Sequence, residues 1–158
     1  MEREEAERLV AQYGSAVYRL AYARTGSRED AEDVMQEVFL RLLRRGPELN
    51  GEDHLRAWLL HAAANCANSL HRRPWRRELP LEEGAAQAAP PEHNEALEAV
   101  LALPEKYRVP VCLHYCEGYT TAEVAAILGK KEATVRTWLF RARGLLRDML
   151  TEEGTYEL

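Results

Sequence analysis

The stretch from 119 to 150 constrains the fold most, because its turn residues and periodicity predict two helices joined by a tight turn. Thr120 and Glu123 have the spacing of a capping box, in which two side chains satisfy free amides at a helix start. Gly129 predicts the end of that helix, since glycine adopts the left-handed conformation there without strain. The second helix carries apolar residues at alternating spacings of four and three, which predicts one buried stripe. The stripe consists of Val135, Leu139, Ala142, Leu146 and Met149.

The opposite face of this second helix predicts contact with DNA. At about 100° per residue, Thr137, Phe140 and Arg141 fall opposite the apolar stripe. Arg136, Arg143 and Arg147 flank them. A short capped helix, a glycine turn and a longer basic helix form a helix-turn-helix, whose second helix enters a major groove. An exposed phenylalanine among arginines suits a thymine methyl and base edges better than solvent. The alternative is a solvated basic helix with one stray aromatic residue.

The net charge of −5 conceals basic segments. Residues 71–77 contain four arginines and no acid, and residues 130–147 contain six basic residues and one acid, Glu132. Because local patches set the field that a polyanion meets, an acidic total does not exclude DNA. It does predict that the chain alone binds DNA weakly.

High usage of Ala, Leu, Glu and Arg, without alternating strand-like runs, predicts an all-α fold. At 158 residues the chain has room for one ordinary domain or two small ones. Residues 78–93 are acidic and rich in proline, which is typical of a flexible linker. We therefore predict two small helical domains, 1–77 and 94–152, joined by this linker.

Three properties bear on the cellular compartment. The charged N-terminus lacks an apolar signal segment, and no long apolar run predicts membrane insertion. Three cysteines, an odd number, argue against a disulfide framework. These properties favour the cytoplasm.

The N-terminal domain is predicted to contain helices over 4–24, 28–45 and about 54–73. Val10, Tyr13, Val17 and Leu20 are expected on the buried side of the first helix. Ser27 is expected to cap the second helix. One face of that second helix is rich in acids and contains a single leucine, Leu40. Leu40 is either an ordinary exposed leucine or the anchor for a partner with a basic rim, and the residues alone leave both open.

The third helix carries a polar stripe formed by His61, Asn65, Asn68 and Arg72, which continues to Arg73. Asparagine is a poor residue within a helix because its side chain competes with the backbone. The stripe therefore suggests hydrogen bonds to bases or phosphates. The alternative is a solvated flank of the domain.

Other kinds of site are weaker. Cys112, His114 and Cys116 suggest a metal or redox sensor, but on an α-helix the histidine points away from the two cysteines. Buried structural cysteines are therefore predicted, with no metal and no cofactor. We find no nucleophile–base pair, phosphate loop or paired carboxylates, so the chain is not expected to be an enzyme.

Three segments in order resemble a bacterial RNA polymerase sigma factor of the extracytoplasmic-function group. They are REDAEDVMQEVFLRLL, LRAWLLHAAANCANSLHRR and the run from LPEKYRV to FRARGLL. The resemblance covers about 9 to 150. It implies that 1–77 is a region-2 domain, which binds polymerase core and reads and melts the minus-ten element. It also implies that 94–152 is a region-4 domain, which reads the minus-thirty-five element.

The resemblance also implies roles for individual residues. Polymerase contact, on the clamp helices of the largest subunit, is implied for Asp30, Asp33, Gln36, Glu37 and Leu40. Minus-ten contact is implied for His61, Asn65, Asn68, Arg72 and Arg73, and the loop over 46–53 is implied to hold a flipped base. Minus-thirty-five contact is implied for Thr134, Arg136, Thr137, Phe140 and Arg141, with phosphate contacts from Lys130, Lys131, Thr120 and Thr121.

The chain departs from the family pattern at Trp138, where arginine is usual, and at His61 and Ala64, where a basic residue is common. We expect Trp138 to pack rather than to stack on a base. Besides polymerase and promoter DNA, an anti-sigma factor is a further expected partner. The main alternative is a helix-turn-helix regulator that never meets polymerase core, and the face containing Leu40 distinguishes the two.

Overall fold

The computed structural model of this chain describes residues 3–45, 52–71 and 95–153. Every described element is helical, which confirms the predicted all-α fold. The chain divides into two compact units, Met1–His93 and Asn94–Leu158. Three parts of the prediction lie outside the described residues. They are the linker over 78–93, the basic residues Arg72 and Arg73, and residues 46–51 of the base-holding loop. In the described part, no helix is long and apolar enough to cross a membrane.

The described part of the first unit is a bundle of three helices, α1 (Arg3–Thr25), α2 (Arg28–Arg45) and α3 (Glu52–His71), each packed against the other two. Gly26 has a φ of +68° and lies between α1 and α2. Ser27 caps α2 as predicted, since its Oγ accepts a hydrogen bond from the Asp30 amide at 3.2 Å. α3 begins two residues before the predicted start, and its predicted end at residue 73 lies outside the described residues.

The core of this bundle contains Val17, Leu20, Val34, Leu42 and Leu59, all fully buried. The prediction for Val10 was wrong, because its side chain is 38% exposed. Its neighbour Leu9, about 100° away around the helix, is buried at 4% exposure. The pKa of Tyr18 is raised to about 12, chiefly because its side chain is buried and to a lesser degree because Tyr22 and Glu32 lie nearby.

The second unit contains α4 (Glu95–Leu101), α5 (Glu105–Val111), a π-helix (Cys112–Cys116), α6 (Thr121–Leu128) and α7 (Glu132–Glu153). Pro104 occupies the N-cap position of α5, where its lack of an amide costs no helical hydrogen bond. Pro110 lies within α5 and does not end it. The chain then widens into the π-helix, and Gly118 ends this segment with a φ of +81°.

The turn between α6 and α7 has the predicted chemistry. The Glu123 amide donates to Thr120 Oγ1 at 3.2 Å, and the Thr120 amide donates to Glu123 Oε1 at 2.9 Å. Gly129 is left-handed with a φ of +65°, and its amide donates to the end of α6. These features confirm both the capping box and the glycine stop. Val135, Leu139 and Ala142 are buried, which confirms the start of the predicted stripe.

Replacing Thr120 with alanine should destabilise the second unit by about 1 kcal/mol, because a lost N-cap side chain leaves a helix amide without its acceptor. The Thr120 amide, and then its hydroxyl, hold the pKa of Glu123 below its ordinary value. A depressed carboxylate pKa stabilises the fold above the unfolded pKa, and this contribution disappears as pH falls through the folded pKa. Urea unfolding of the wild type and of Thr120→Ala at neutral and acidic pH measures the difference between their free energies of unfolding. This difference should be smaller at acidic pH. Because alanine keeps the backbone amide, a constant difference would show that the Thr120 hydroxyl does not contribute to the lowered pKa of Glu123.

Candidate nucleic-acid interface

The helix α7 presents a basic, partly aromatic face to solvent. Arg136, Thr137, Phe140 and Arg141 are all exposed, as the periodicity predicted. The Phe140 side chain is 72% exposed, which is far more than a core aromatic residue would be. Thr134, by contrast, is half-buried, as is Trp138. The exposed side of α7 therefore combines positive charge with one large apolar group.

A groove of about 730 Å³ follows this face. It lies between the start of α6, the π-helix and α7, so that the two parts of the helix-turn-helix border one space. Its lining includes both predicted contact residues and residues that the sequence did not single out. The lining residues are His114, Thr121, Ala133, Arg136, Thr137, Leu139, Phe140, Arg141 and Arg143.

Two further residues line this groove: His114, which the sequence reasoning considered only as a metal ligand, and Arg143, which it placed beside the DNA-facing side of α7. His114 Nδ1 lies 2.7 Å from the Tyr119 carbonyl oxygen, which fixes its ring beside the groove. Arg143 Nη1 donates to the hydroxyl of Tyr115 at 3.4 Å, and Tyr115 is 50% exposed. Helical spacing already placed Arg143 beside the predicted face, whereas the position of the π-helix had no sequence signal.

The hydroxyls at this interface have defined partners. Thr137 Oγ1 donates to the Ala133 carbonyl at 3.0 Å, so its methyl group and its oxygen lone pairs remain for a ligand. Thr121 Oγ1 donates to Glu132 Oε1 at 3.0 Å. The Thr120 amide is occupied by Glu123, so it is not free to bind the phosphate expected there.

Charge at the turn comes from Lys130 and Lys131, both exposed between α6 and α7. Arg136 Nη1 lies 3.2 Å from Glu132 Oε1 in an exposed ion pair. The arrangement can therefore offer ammonium groups to a phosphate backbone and guanidinium groups to base edges.

The polar stripe on α3 is only partly available. Asn65 Nδ2 lies 3.1 Å from His61 Nε2, and both residues are exposed. Since an amide nitrogen only donates, this contact is a hydrogen bond when Nε2 carries no proton, and it leaves the Asn65 carbonyl oxygen unused in the pair. Asn68 is half-buried, and its Oδ1 accepts from Arg24 Nε at 2.7 Å. Asn68 thus joins α3 to α1, whereas the sequence suggested that it contacts DNA. Ala64 is buried at 6% exposure.

A second surface lies on α2, in the other unit from the groove. Leu40 is 42% exposed and Leu43, which the sequence reasoning missed, is 41% exposed. Gln36 is exposed, whereas Asp30, Asp33 and Glu37 are half-buried. Glu37 Oε1 accepts from Arg41 Nε at 3.3 Å in an exposed pair. The structure therefore gives this acidic face two apolar side chains one helical turn apart.

None of the three cysteines, all of which the structure describes, forms a disulfide. Cys66 and Cys112 are buried, as predicted, and Cys116 is half-buried. His114, between the last two, contacts the Tyr119 carbonyl oxygen at 2.7 Å. Among the described residues, no three His, Cys, Asp or Glu side chains are grouped so that they could hold a metal ion.

Residues 9–77 match the family Sigma-70 region 2, and residues 93–146 match the family Sigma-70, region 4. The two matches cover the three-helix bundle and the helix-turn-helix unit, and define a sigma-70-type chain. The chain is 32% identical to the ECF RNA polymerase sigma factor SigL of Mycobacterium tuberculosis, over 90% of this chain and 87% of SigL. The chain belongs to the extracytoplasmic-function (ECF) family of RNA polymerase sigma factors, as its sequence motifs predicted.

Other relatives are longer. The chain is 33% identical to SigE of Mycolicibacterium smegmatis over 94% of its own length, but spans 63% of SigE. It spans 61% of BldN of Streptomyces coelicolor, at 32% identity. The fold is similar to that of the sigma factor RpoE in its complex with the anti-sigma factor NepR from Bartonella quintana. That likeness has a TM-score of 0.73 at 20% identity and covers 94% of this chain and 98% of RpoE.

Proposed function

We propose that this chain binds RNA polymerase core and directs it to promoters, with α2 as the polymerase-binding surface and α3 and α7 as the promoter-reading surfaces. The observation that carries the proposal is the α2 face, where Leu40 is 42% exposed among acidic side chains. A regulator that acts through DNA alone has no use for an apolar anchor on the unit that lacks the helix-turn-helix. A partner with a basic rim and an apolar centre matches this face.

The two DNA-reading surfaces suit different tasks. α7 presents Arg136, Phe140 and Arg141 along a groove, which suits base edges of a duplex major groove at the minus-thirty-five element. Asn65, paired with His61, offers a polar group on α3 for the minus-ten element. Thr134, half-buried, and Asn68, bonded to Arg24, are weaker contact residues than the sequence suggested.

The chain supplies no chemistry of its own in this proposal, and nucleotide addition belongs to the polymerase. The site of action is therefore the cytoplasm, with the polymerase. An anti-sigma factor is a further proposed partner. The likeness to RpoE, whose structure was solved with the anti-sigma factor NepR, supports this choice.

Run-off transcription tests the proposal. Purified core polymerase, the full chain and a library of genomic fragments should give discrete transcripts that are absent when the chain is omitted. The alternative, a helix-turn-helix regulator that works without core polymerase, predicts DNA binding with no transcripts and no retention of the chain on immobilised core enzyme. That pair of negative results would replace the proposed function with the alternative.

Replacing both Lys130 and Lys131 with alanine should weaken promoter binding and flatten its salt dependence. Each phosphate contact contributes about one unit to the slope of log affinity against log salt, so the slope should fall by about two. The measurement is fluorescence anisotropy of the reconstituted holoenzyme on a promoter fragment at several salt concentrations. Lys106→Ala, an exposed lysine on α5 that lies over the Tyr107 ring, is the control. An unchanged slope in the double variant would remove both lysines from the interface.

A further inference from the structure

One carboxylate oxygen joins the two helices of the helix-turn-helix. Glu132 Oε1 accepts a hydrogen bond from Thr121 Oγ1 at 3.0 Å and lies 3.2 Å from Arg136 Nη1. Thr121 begins α6, and Glu132 begins α7. Arg136 is one helical turn further along, on the groove-lining face. An acid at this place is unexpected on a surface meant for a polyanion, and the charge pattern of the segment gives it no role.

The pair differs from an ordinary surface ion pair. Glu–Arg pairs four residues apart on a helix stabilise it only weakly. Here the same oxygen is also held by a side chain from the preceding helix, eleven residues earlier. The carboxylate is therefore fixed from outside its own helix, and it in turn limits where the guanidinium of Arg136 can lie.

The chemistry of the guanidinium decides what such a restraint does. A guanidinium has five N–H donors, and a guanine base edge uses two of them. With Nη1 held by Glu132, donors on Nη2 and Nε remain for a base. A phosphate that binds Arg136, in contrast, would lie close to the negative charge of Glu132. Otherwise the ion pair between Arg136 and Glu132 would have to break first.

We propose that Glu132 is a positioning residue that sets the sequence specificity of Arg136. It holds the guanidinium toward base edges, and its charge makes contact of Arg136 with phosphate on unrelated sequences less favourable. Specificity of this kind comes from penalising wrong partners as well as from rewarding the right one. The inference rests on the proposed function, because it assumes that α7 reads promoter DNA.

The test is Glu132→Gln in the full chain, reconstituted with core polymerase. Two DNA fragments are compared at one salt concentration, a promoter found by run-off transcription and the same fragment with a scrambled minus-thirty-five element. Glu132→Gln should bind the scrambled fragment more tightly, and the ratio of the two affinities should fall by about threefold to tenfold. Asp148→Asn is the matched control, since it removes one charge from an exposed residue of the same helix about 24 Å away.

A double-mutant cycle separates positioning from simple charge removal. In an Arg136→Ala background, Glu132→Gln should no longer change the affinity ratio, because no guanidinium remains to be positioned. An equal fall in the ratio with and without Arg136 would overturn the inference, as would a wild-type ratio in Glu132→Gln alone. If the wild-type holoenzyme does not distinguish the two fragments at all, the proposed function is lost and this inference with it. Thermal unfolding of each variant checks that the fold is retained.

Discussion

Leu40→Arg is expected to lower the affinity of this chain for polymerase core by about thirtyfold or more, which corresponds to roughly 2 kcal/mol. Leu40 is 42% exposed at the centre of the α2 face, so its side chain is available to a partner. If it fills an apolar pocket in polymerase core, the substitution removes that contact and places an uncompensated charge in a desolvated site. Biolayer interferometry with immobilised core enzyme measures the change directly.

Two further variants make this result interpretable. Val10→Arg is the matched control, because Val10 has a similar exposure of 38% and lies on α1 of the same unit. Leu43→Arg, one turn beyond Leu40, should weaken core binding in the same direction as Leu40→Arg. Exposed substitutions of this kind change folding stability by about 0.5 kcal/mol or less, so all three chains should fold. Core affinity of Leu40→Arg within twofold of wild type would contradict α2 as the polymerase surface.

Local chemistry explains why much of the second unit was predictable from its sequence. The capping box needs two side chains three residues apart, and the left-handed stop needs one glycine, so both can be recognised without tertiary structure. The buried stripe of α7 needs only helical periodicity, and Val135, Leu139 and Ala142 are indeed buried. Exposure of Phe140 and Arg141 follows from the same periodicity.

Contacts between distant residues explain most of what the sequence did not reveal. The prediction of Asn68 as a DNA contact could not include its hydrogen bond from Arg24, because Arg24 lies 44 residues earlier in the chain. The hydrogen bond from Thr121 to Glu132 Oε1 joins residues eleven apart, so the sequence pattern did not reveal it. The π-helix at Cys112–Cys116 was not predicted either, because hydrogen bonds between residues five apart leave no signature in the composition of the segment.

Arg136→Ala is expected to reduce discrimination at the minus-thirty-five element by about 1–3 kcal/mol, or roughly fivefold to 150-fold, if a bidentate base contact is lost. Arg136 lines the groove beside Phe140, and its Nη1 lies 3.2 Å from Glu132 Oε1. The measurement is binding of the reconstituted holoenzyme to promoter fragments that carry single base-pair changes across the element. The loss should be confined to one base pair, at which the variant no longer distinguishes the natural base from the others.

The distribution of the lost affinity among the base pairs, more than the size of the loss, shows whether Arg136 contacts a base or a phosphate. Arg147→Ala is the matched control, since it removes the same charged group from an exposed position about 16 Å further along α7. A phosphate contact carries no base information, so its loss should weaken all fragments equally and lower the salt slope by about one. If Arg136→Ala behaves in that way, Arg136 contacts the DNA phosphate backbone, and Phe140 and Arg141 are left to contact the bases. If its loss is confined to one base pair while Arg147→Ala weakens every fragment alike, Arg136 reads sequence directly.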